Sequence, residues 1–357
     1  MTAVSVVVPT HDHGPTLNVT LELALAQSLE DIEVLVIGDG CTDLTREIMA
    51  GFCARDPRVR FFDLPKGPRL GESHRNQVIG ASRGDVVAYL CDDDLWHPCH
   101  LESLVALLDD ADFAHTLPVA MNPDGSLHTW SVDLAQESDR RLLLEVENRV
   151  PLCFVGHTAD FFRRLPNGWE TTPPGIPTDL HFYRQCLAFP GVRAVSGMLP
   201  TGLHLPSPDR REVPVEERVH ELAVAAERIA NDWGGVVSGC LAAVAADRAD
   251  LEGRYRDETA QLRRELSEMA QFVENARAHA QRMEASAESY LSSLGHEKIR
   301  TEGLVREVEA VAARLDAAAV SRDEALAELS VIRSTVTWRL HDRLLPAVRA
   351  LRRRPRG

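Results

Sequence analysis

Three short clusters in the first 95 residues hold the side chains best suited to chemistry: Thr10-His11-Asp12-His13, Gly38-Asp39-Gly40-Cys41-Thr42-Asp43 and Cys91-Asp92-Asp93-Asp94. The last is the most informative. Three consecutive carboxylates repel one another unless something positive sits among them. A hard divalent cation such as Mg²⁺, bound through one or two carboxylates and the phosphates of a substrate, meets that need. A solvated acidic loop, with an aspartate capping a helix before Leu95, is the alternative reading of the same residues.

Each cluster follows a run that reads as a buried strand. Val4–Val8 is β-branched and ends at Pro9, Ile32–Ile37 is broken by Gly38-Asp39-Gly40, and Asp85–Leu90 runs into the acids; Val59–Leu64 is a further strand. Between them the spacing predicts helices from Pro15 to about Leu29, over Leu44–Ala54 and Gly71–Ser82, and over Leu101–Asp109 after Pro98. Strand and helix alternating at this interval predict an α/β fold with a doubly wound, mostly parallel sheet. Ligands of such sheets bind at the carboxyl ends of the strands, where the three clusters fall.

These residues resemble family 2 glycosyltransferases of the GT-A fold, over about residues 3–205. VVVPTHDHGPTL is similar to the family's V-x-P-T-[YF]-[ND]-R start, with His11 in the aromatic slot. EVLVIGDGCTD resembles E-x-[IV]-V-V-D-D-G-S-T-D, with Gly38 and Cys41 in place of the first Asp and the Ser. GESHRNQVIGASRGDVVAYL resembles the G-x-x-x-A-R-N stretch, and CDDDLWHP resembles L-D-x-D-D-x-[WL]-x-P, the DxD metal motif. The resemblance implies a donor site of Pro9, Thr10, His11, Asp39, Arg75, Asn76 and Asp92. Counting back from Pro98 puts Cys91 at the motif's first acid and Asp93 at the metal ligand; a literal DxD would be Asp92 and Asp94. The nearest α/β rivals lack their marks: no G-x-G-x-x-G follows the first strand, no glycine-rich, Arg-containing pyrophosphorylase loop stands there, and there is no P-loop.

An inverting transferase needs a carboxylate to deprotonate the acceptor hydroxyl. In the resembled family an [ED]-D-x-x-[LF]-x-x-R element supplies it. Here that element aligns with Thr178-Asp179 through Arg184, which makes Asp179 the expected base, Arg184 its helix arginine and Thr178 a departure at the first acid. Capping of a helix that ends near Ala188 is the structural alternative for Thr178 or Asp179. His157 either lines the acceptor pocket or is structural, and Trp169 is a sugar-stacking platform or a core residue. His204 is placed to complete the metal shell with Asp93 and Asp94, and Arg210 and Arg211 to neutralise the leaving phosphate.

Beyond Pro214 the composition changes. Eighteen of the 20 prolines lie at or before that residue, and 215–345 is free of them. Val215–Trp233 is a helical pattern interrupted at Gly234-Gly235. Apolar residues then recur three and four apart from Leu262 through Met269, Val273, Met283 and Tyr290 to Leu294, and again from Leu304 to Ile332. This predicts a coiled coil, or a helical hairpin folded at Gly295, with a single exposed charged helix as the alternative. Residues 331–357 hold eight arginines against Asp342 in a chain of net charge −15, and resemble the S-x-[ST]-W-R-[LI] ending of many bacterial cell-surface glycosyltransferases. Trp338, Leu340, Leu344, Leu345, Val348 and Leu351 give that end an amphipathic helix for an anionic membrane surface, a solvated tail or a segment docked on the acidic body being the alternatives.

The expected organisation is a GT-A domain over 1–212, connecting helices over 213–247, a coiled coil or hairpin over 248–335 and a basic amphipathic end over 336–357. The expected activity is metal-dependent (Mg²⁺ or Mn²⁺), inverting transfer of a sugar from a UDP- or dTDP-linked donor to a hydroxyl of a glycan, lipid-linked or other cell-envelope acceptor. A non-catalytic transferase-like scaffold is the second reading, motivated by Gly38, Cys91 and Thr178. The expected partners are the donor, the acceptor, further copies through the coiled coil and a membrane surface. The acidic balance argues against nucleic acid. Seven cysteines with no CxxC pair, no apolar run near 18 residues and an N-terminus without a basic region lead to a cytoplasmic protein, peripheral on the inner face of the membrane.

Overall fold

Side chains alternate across a strand, so a strand apolar on both faces is stable only between two covering layers. The computed structural model, which describes residues 3–206, 210, 212–294, 306–307 and 309–324, shows this arrangement. The elements run β1 (Val4–Thr10), α1 (Gly14–Leu25), β2 (Ile32–Asp39), α2 (Asp43–Arg55), β3 (Val59–Leu64), α3 (His74–Gly80), β4 (Val86–Tyr89), β5 (Leu95–Trp96) and α4 (His100–Leu108). They continue with β6 (Phe113–Leu117), β7 (Val119–Met121), β8 (Leu127–Thr129), α5 (Glu137–Arg141), β9 (Val155–Thr158), α6 (Ala159–Arg164), α7 (Thr178–Ala188), β10 (Ala194–Pro200), β11 (Gly202–Leu203), α8 (Val215–Asn231) and α9 (Trp233–Leu294).

Seven strands form the main sheet in the order β10-β6-β9-β4-β1-β2-β3. All its pairings are parallel except those of β9, which is antiparallel to both β4 and β6. Val4, Val6, Val8, Val34, Val36 and Ala88 pack on one face with Leu17, Leu21, Met49, Leu101 and Leu104 of α1, α2 and α4. Val7, Leu35, Ile37, Val87 and Tyr89 pack on the other with Val78, Phe161, Phe182 and Tyr183 of α3, α6 and α7. Each fully buried Val or Leu contributes about 1.5–3 kcal/mol, which is why the strand runs contain almost no charge. This is the doubly wound, mostly parallel sheet expected of a GT-A domain.

One exception to that apolar rule is Glu33, 2% exposed within β2. Its carboxylate accepts from Ser5 Oγ at 2.7 Å, from the Arg83 amide and Nε, and from Arg60 Nη1. Burial raises its pKa, and these donors together outweigh burial and hold it below the usual carboxylate value.

Two compact units divide between Arg248 and Ala249. The sequence drew the catalytic domain's edge at 212, but the buried contacts of the first unit run on through α8 and the start of α9. Leu222, Ala225 and Ile229 of α8 are buried. Asp247, 7% exposed, takes Arg149 Nη2 on both oxygens at 2.6 and 2.7 Å and accepts from the amide and hydroxyl of Ser131. In the second unit α9 continues to Leu294, and Leu262, Met269, Met283 and Tyr290 of the apolar row are 46%, 47%, 54% and 64% exposed. Residues 309–324 are helical. The turn expected at Gly295 and the basic end 336–357 lie outside the described residues. No single helix among the described residues is long and apolar enough to cross a membrane. All seven cysteines are free.

Candidate functional site

The parallel register of β1, β2 and β4 brings their carboxyl ends to one edge: Thr10 pairs with Gly38, and Val7 with Tyr89. An open cleft of about 220 Å³ lies there, lined by Pro9, Thr10, His11, His13, Ile37, Asp39, Lys66, Arg69, Leu70, Gly71, Arg75 and Asp92. Six of the expected donor residues thus share one surface.

Asp39 ends β2 and is 5% exposed. Its Oδ1 accepts from the Gly67 amide at 2.5 Å, its Oδ2 from Lys66 Nζ at 2.5 Å, and His74 Nε2 lies 3.4 Å from Oδ1. Burial pushes its pKa up, but the Gly67 amide and the Lys66 ammonium outweigh burial and hold it ionised below the ordinary range. Gly71 crosses directly over this carboxylate with φ +63, and a Cβ there would lie 2.3 Å from Asp39 Cγ. His11 fixes the chain from the other side, its Nδ1 2.6 Å from the Asp39 carbonyl.

Arg75 is 6% exposed and lies 4.4 Å from the ring centre of Trp169. Its Nε and Nη1 have no hydrogen-bond partner among the described residues. A buried guanidinium with idle donors on a cleft wall suits an anionic ligand. Asn76, by contrast, is spent on structure: Oδ1 accepts from the Trp169 amide at 2.7 Å and Nδ2 donates to the Asn167 carbonyl. Trp169 itself is 1% exposed and stacks on Phe182 at 4.3 Å, so it is a core residue rather than a sugar platform. His157 is fully buried, its Nε2 2.6 Å from the Tyr89 hydroxyl that accepts from Trp169 Nε1, and burial lowers its pKa to about 4. Neither reaches an acceptor surface.

The acid cluster divides into two groups. Asp94, fully buried, accepts from His204 Nδ1 and the Leu205 amide, both at 2.9 Å. Burial opposes ionisation of both partners, yet their mutual attraction lowers the pKa of Asp94 and raises that of His204. Asp94 Oδ2 has no hydrogen-bond partner among the described residues. Asp92 accepts from His13 Nδ1 at 3.1 Å, and this bond, ahead of the neighbouring charges, raises the His13 pKa against the lowering effect of burial. Arg218 of α8 donates Nη2 to Asp93 Oδ2 at 2.7 Å and places Nη1 3.1 Å from His13 Nε2. His13, Asp92 and Asp93 lie close enough to share one ion, as do Asp94, Cys153 and His204. Carboxylate oxygens, imidazoles and the orphaned Asp94 oxygen are a donor set that fits a hard or borderline divalent cation.

Asp179 stands in the first turn of α7, whose cap is Pro177 and carries no side-chain capping bond. Asp179 is therefore not the N-cap, although its Oδ1 accepts from the first-turn amide of Leu180 at 2.9 Å. Asn148 Nδ2 donates to its Oδ2 at 2.7 Å. Burial raises its pKa in spite of the Leu180 amide, Asn148 and the charge of Arg75. It also lies close enough to His204 to raise the pKa of that imidazole. Arg184, one turn on, donates Nε and Nη2 to the Leu144 carbonyl, fixing the segment that carries Asn148. Arg210 is 2% exposed and spends its guanidinium on Glu221 and the Met121 and Pro206 carbonyls, so it is not brought to the cleft. Arg211 lies outside the described residues.

Four contributors had escaped the sequence reading. His13 was visible only as part of a polar strand end. Lys66 is one of two lysines in the chain and lies outside the motifs. Arg69 donates to the Thr172, Pro173 and Ile176 carbonyls, tying the cleft wall to the approach of α7. Arg218 lies within the helical pattern of 215–233, 125 residues from its partner.

Residues 5–166, somewhat under half of the chain, match the model of the family described as Glycosyl transferase family 2, and this segment is a family 2 glycosyltransferase domain. Similar curated proteins include a chondroitin synthase of Pasteurella multocida, 32% identical over 127 residues that make up 35% of this chain and 13% of that protein. An uncharacterized glycosyltransferase of Nostoc is 29% identical over 45% of this chain and 51% of its own length, and the succinoglycan biosynthesis protein ExoO of Rhizobium meliloti is 35% identical over 30% of each. The chain thus spans between about an eighth and a half of these relatives. Among solved structures, residues 1–349 of S. aureus TarS align with a TM-score of 0.45 at 16% identity, covering 62% of this chain and 65% of that one. The mannosyltransferase PcManGT of Pyrobaculum calidifontis, in complex with GDP-Man and Mn²⁺, aligns with a TM-score of 0.43 at 17% identity, covering 69% and 75%.

Proposed function

We propose that this protein transfers a sugar from a nucleotide diphosphate sugar, UDP- or dTDP-linked, to a hydroxyl of a cell-envelope or polysaccharide acceptor, with inversion and with a divalent cation. The observation that carries the reading is the convergence of Asp39, Arg75 and the Asp92–Asp94 cluster on one strand edge, with Asp179 within electrostatic reach of Arg75 and His204. Asp39 accepts from the nucleoside, and Arg75 offers its idle donors to the phosphates. Asp93, with Asp92 and His13, would hold Mg²⁺ or Mn²⁺, with Asp94 and His204 as the neighbouring group, and the ion would offset the charge that grows on the leaving diphosphate. Asp179 takes the proton of the acceptor hydroxyl. Burial makes its carboxylate a stronger base, and Asn148 aims it.

A donor-hydrolysis and transfer screen across nucleotide sugars, with and without chelator, tests the reading. Turnover of at least one donor that Asp179→Asn abolishes is expected, and no turnover of any donor would sink it. The non-catalytic alternative rests on Gly38, Cys91 and Thr178 standing where the motifs have acids, and burial holds the Cys91 thiol protonated. It predicts nucleotide protection of the fold without turnover.

The exposed row Leu262, Met269, Met283 and Tyr290 supports assembly with further copies of this chain. Sedimentation of the full chain against residues 1–248 tests that. Contact of the basic end with the inner face of the membrane, and with it a cytoplasmic location, is proposed from the sequence of 336–357. Liposome flotation of the full chain against residues 1–330 tests it.

A further inference from the structure

We propose that Arg218 is the resident cation of the acid cluster, and that it and the divalent ion exclude one another at Asp93. The inference rests on the cluster being the metal site. Asp93 is 5% exposed and lies beside Asp92 and Asp94, so three carboxylates crowd one buried corner where a positive charge offsets their mutual repulsion. Arg218 supplies it, with Nη2 2.7 Å from Asp93 Oδ2 and only 11% of its side chain exposed.

The position is not one that α8 favours by itself. Arg218 is the fourth residue of the helix, and cations are disfavoured at the positive end of the helix dipole. Asp93 and His13 hold it there. Helix α8 is fixed in turn by Leu222, Ala225 and Ile229 and by the pairing of Glu221 with Arg210.

A divalent ion on Asp93 would sit about 2.0–2.6 Å from its oxygens. The guanidinium already lies on Oδ2 at hydrogen-bond distance, so the two charges would be nearly in contact in a buried site. Arg218 must therefore leave Oδ2 when the ion enters. The basal affinity for metal is set by a residue of α8, outside the sequence motifs that carry the acids.

The test is Mn²⁺ binding to the full chain without nucleotide, read from the free-ion electron paramagnetic resonance signal. Removing a charged hydrogen-bond partner by Arg218→Gln or Arg218→Met is expected to tighten Mn²⁺ binding about tenfold or more, with Arg218→Lys intermediate. Binding no tighter than wild type in the two neutral variants overturns the competition. Adding Asp93→Asn to Arg218→Gln separates the two readings. Loss of the gained affinity supports both, and affinity unchanged by the second substitution overturns the metal assignment as well. In wild-type protein, Mn²⁺ is expected to speed amide exchange in the first turn of α8, and unchanged exchange at saturating Mn²⁺ counts against release.

Discussion

Asn148 donates to Oδ2 of Asp179 at 2.7 Å, on a segment that Arg184 ties down through the Leu144 carbonyl. Asp179→Asn is expected to lower kcat by about 10²–10⁴ with little change in donor KM, the loss typical of a general base. Asn148→Ala removes a bond that lowers the Asp179 pKa, so the acid limb of the kcat–pH profile should move to higher pH. A limb that stays in place in Asn148→Ala, or Asp179→Asn at wild-type rate, counts against the assignment.

The same raised pKa makes a statement about stability. A carboxylate whose folded pKa lies above its unfolded value stabilises the fold below the unfolded pKa, and that contribution is lost as pH rises through the folded pKa. Asp179→Asn is therefore expected to melt at or above the wild-type temperature at pH 7. A marked drop would mean that its ionised form stabilises the fold.

Glu33 has the opposite sign. Its folded pKa is depressed by Ser5, Arg83 and Arg60 acting together against burial, so its stabilisation is present above the unfolded pKa and lost as pH falls through the folded one. Glu33→Gln should cost about 1–3 kcal/mol at pH 7 and flatten the dependence of urea midpoints on pH below about 4. Equal slopes in both proteins would assign the acid sensitivity elsewhere.

Much of this was legible in the sequence because parallel strands are buried on both faces and so appear as unbroken β-branched runs. Val4–Val8, Ile32–Ile37 and Val59–Leu64 fall within β1, β2 and β3, and Asp85–Leu90 spans β4. The antiparallel direction of β9 was not legible, since direction is set by neighbours and not by periodicity. The apolar residues Leu152–Phe154 just before β9 form a single tight 3-10 turn. Asp39 and Asp93 stood out because an acid at the end of an apolar strand needs a reason. Arg218, Lys66 and Asn148 did not, because a polar side chain on a helix or loop looks solvated until its distant partner is placed beside it. Trp169 and Asn76 show the reverse error, in which a motif's neighbourhood was taken for its binding surface while the residues themselves pack the wall behind it.

Gly71 is the glycine the donor pocket cannot replace. Gly71→Ala would push a methyl group into the Asp39 carboxylate at a left-handed backbone position, costing about 1–3 kcal/mol of stability. Donor KM should rise while kcat at saturation falls less, because the damage is to binding. A variant with unchanged KM would place the nucleoside away from Asp39.

Asp247 compensates a fully buried arginine. Asp247→Ala leaves Arg149 paired only with the more exposed Glu147, and the loss is expected at about 3–5 kcal/mol in urea unfolding. An effect below about 1 kcal/mol would mean that the start of α9 does not belong to the first cooperative unit.

The family match ends at residue 166, yet the guanidinium that neutralises Asp93 comes from residue 218. The family domain is in this sense not a portable cassette. A chimera joined at the motif boundary would carry its carboxylates without their counter-charge, and its failure would be mistaken for a poor linker. Any transfer of this domain into another chain has to take α8 along as part of its electrostatic interior.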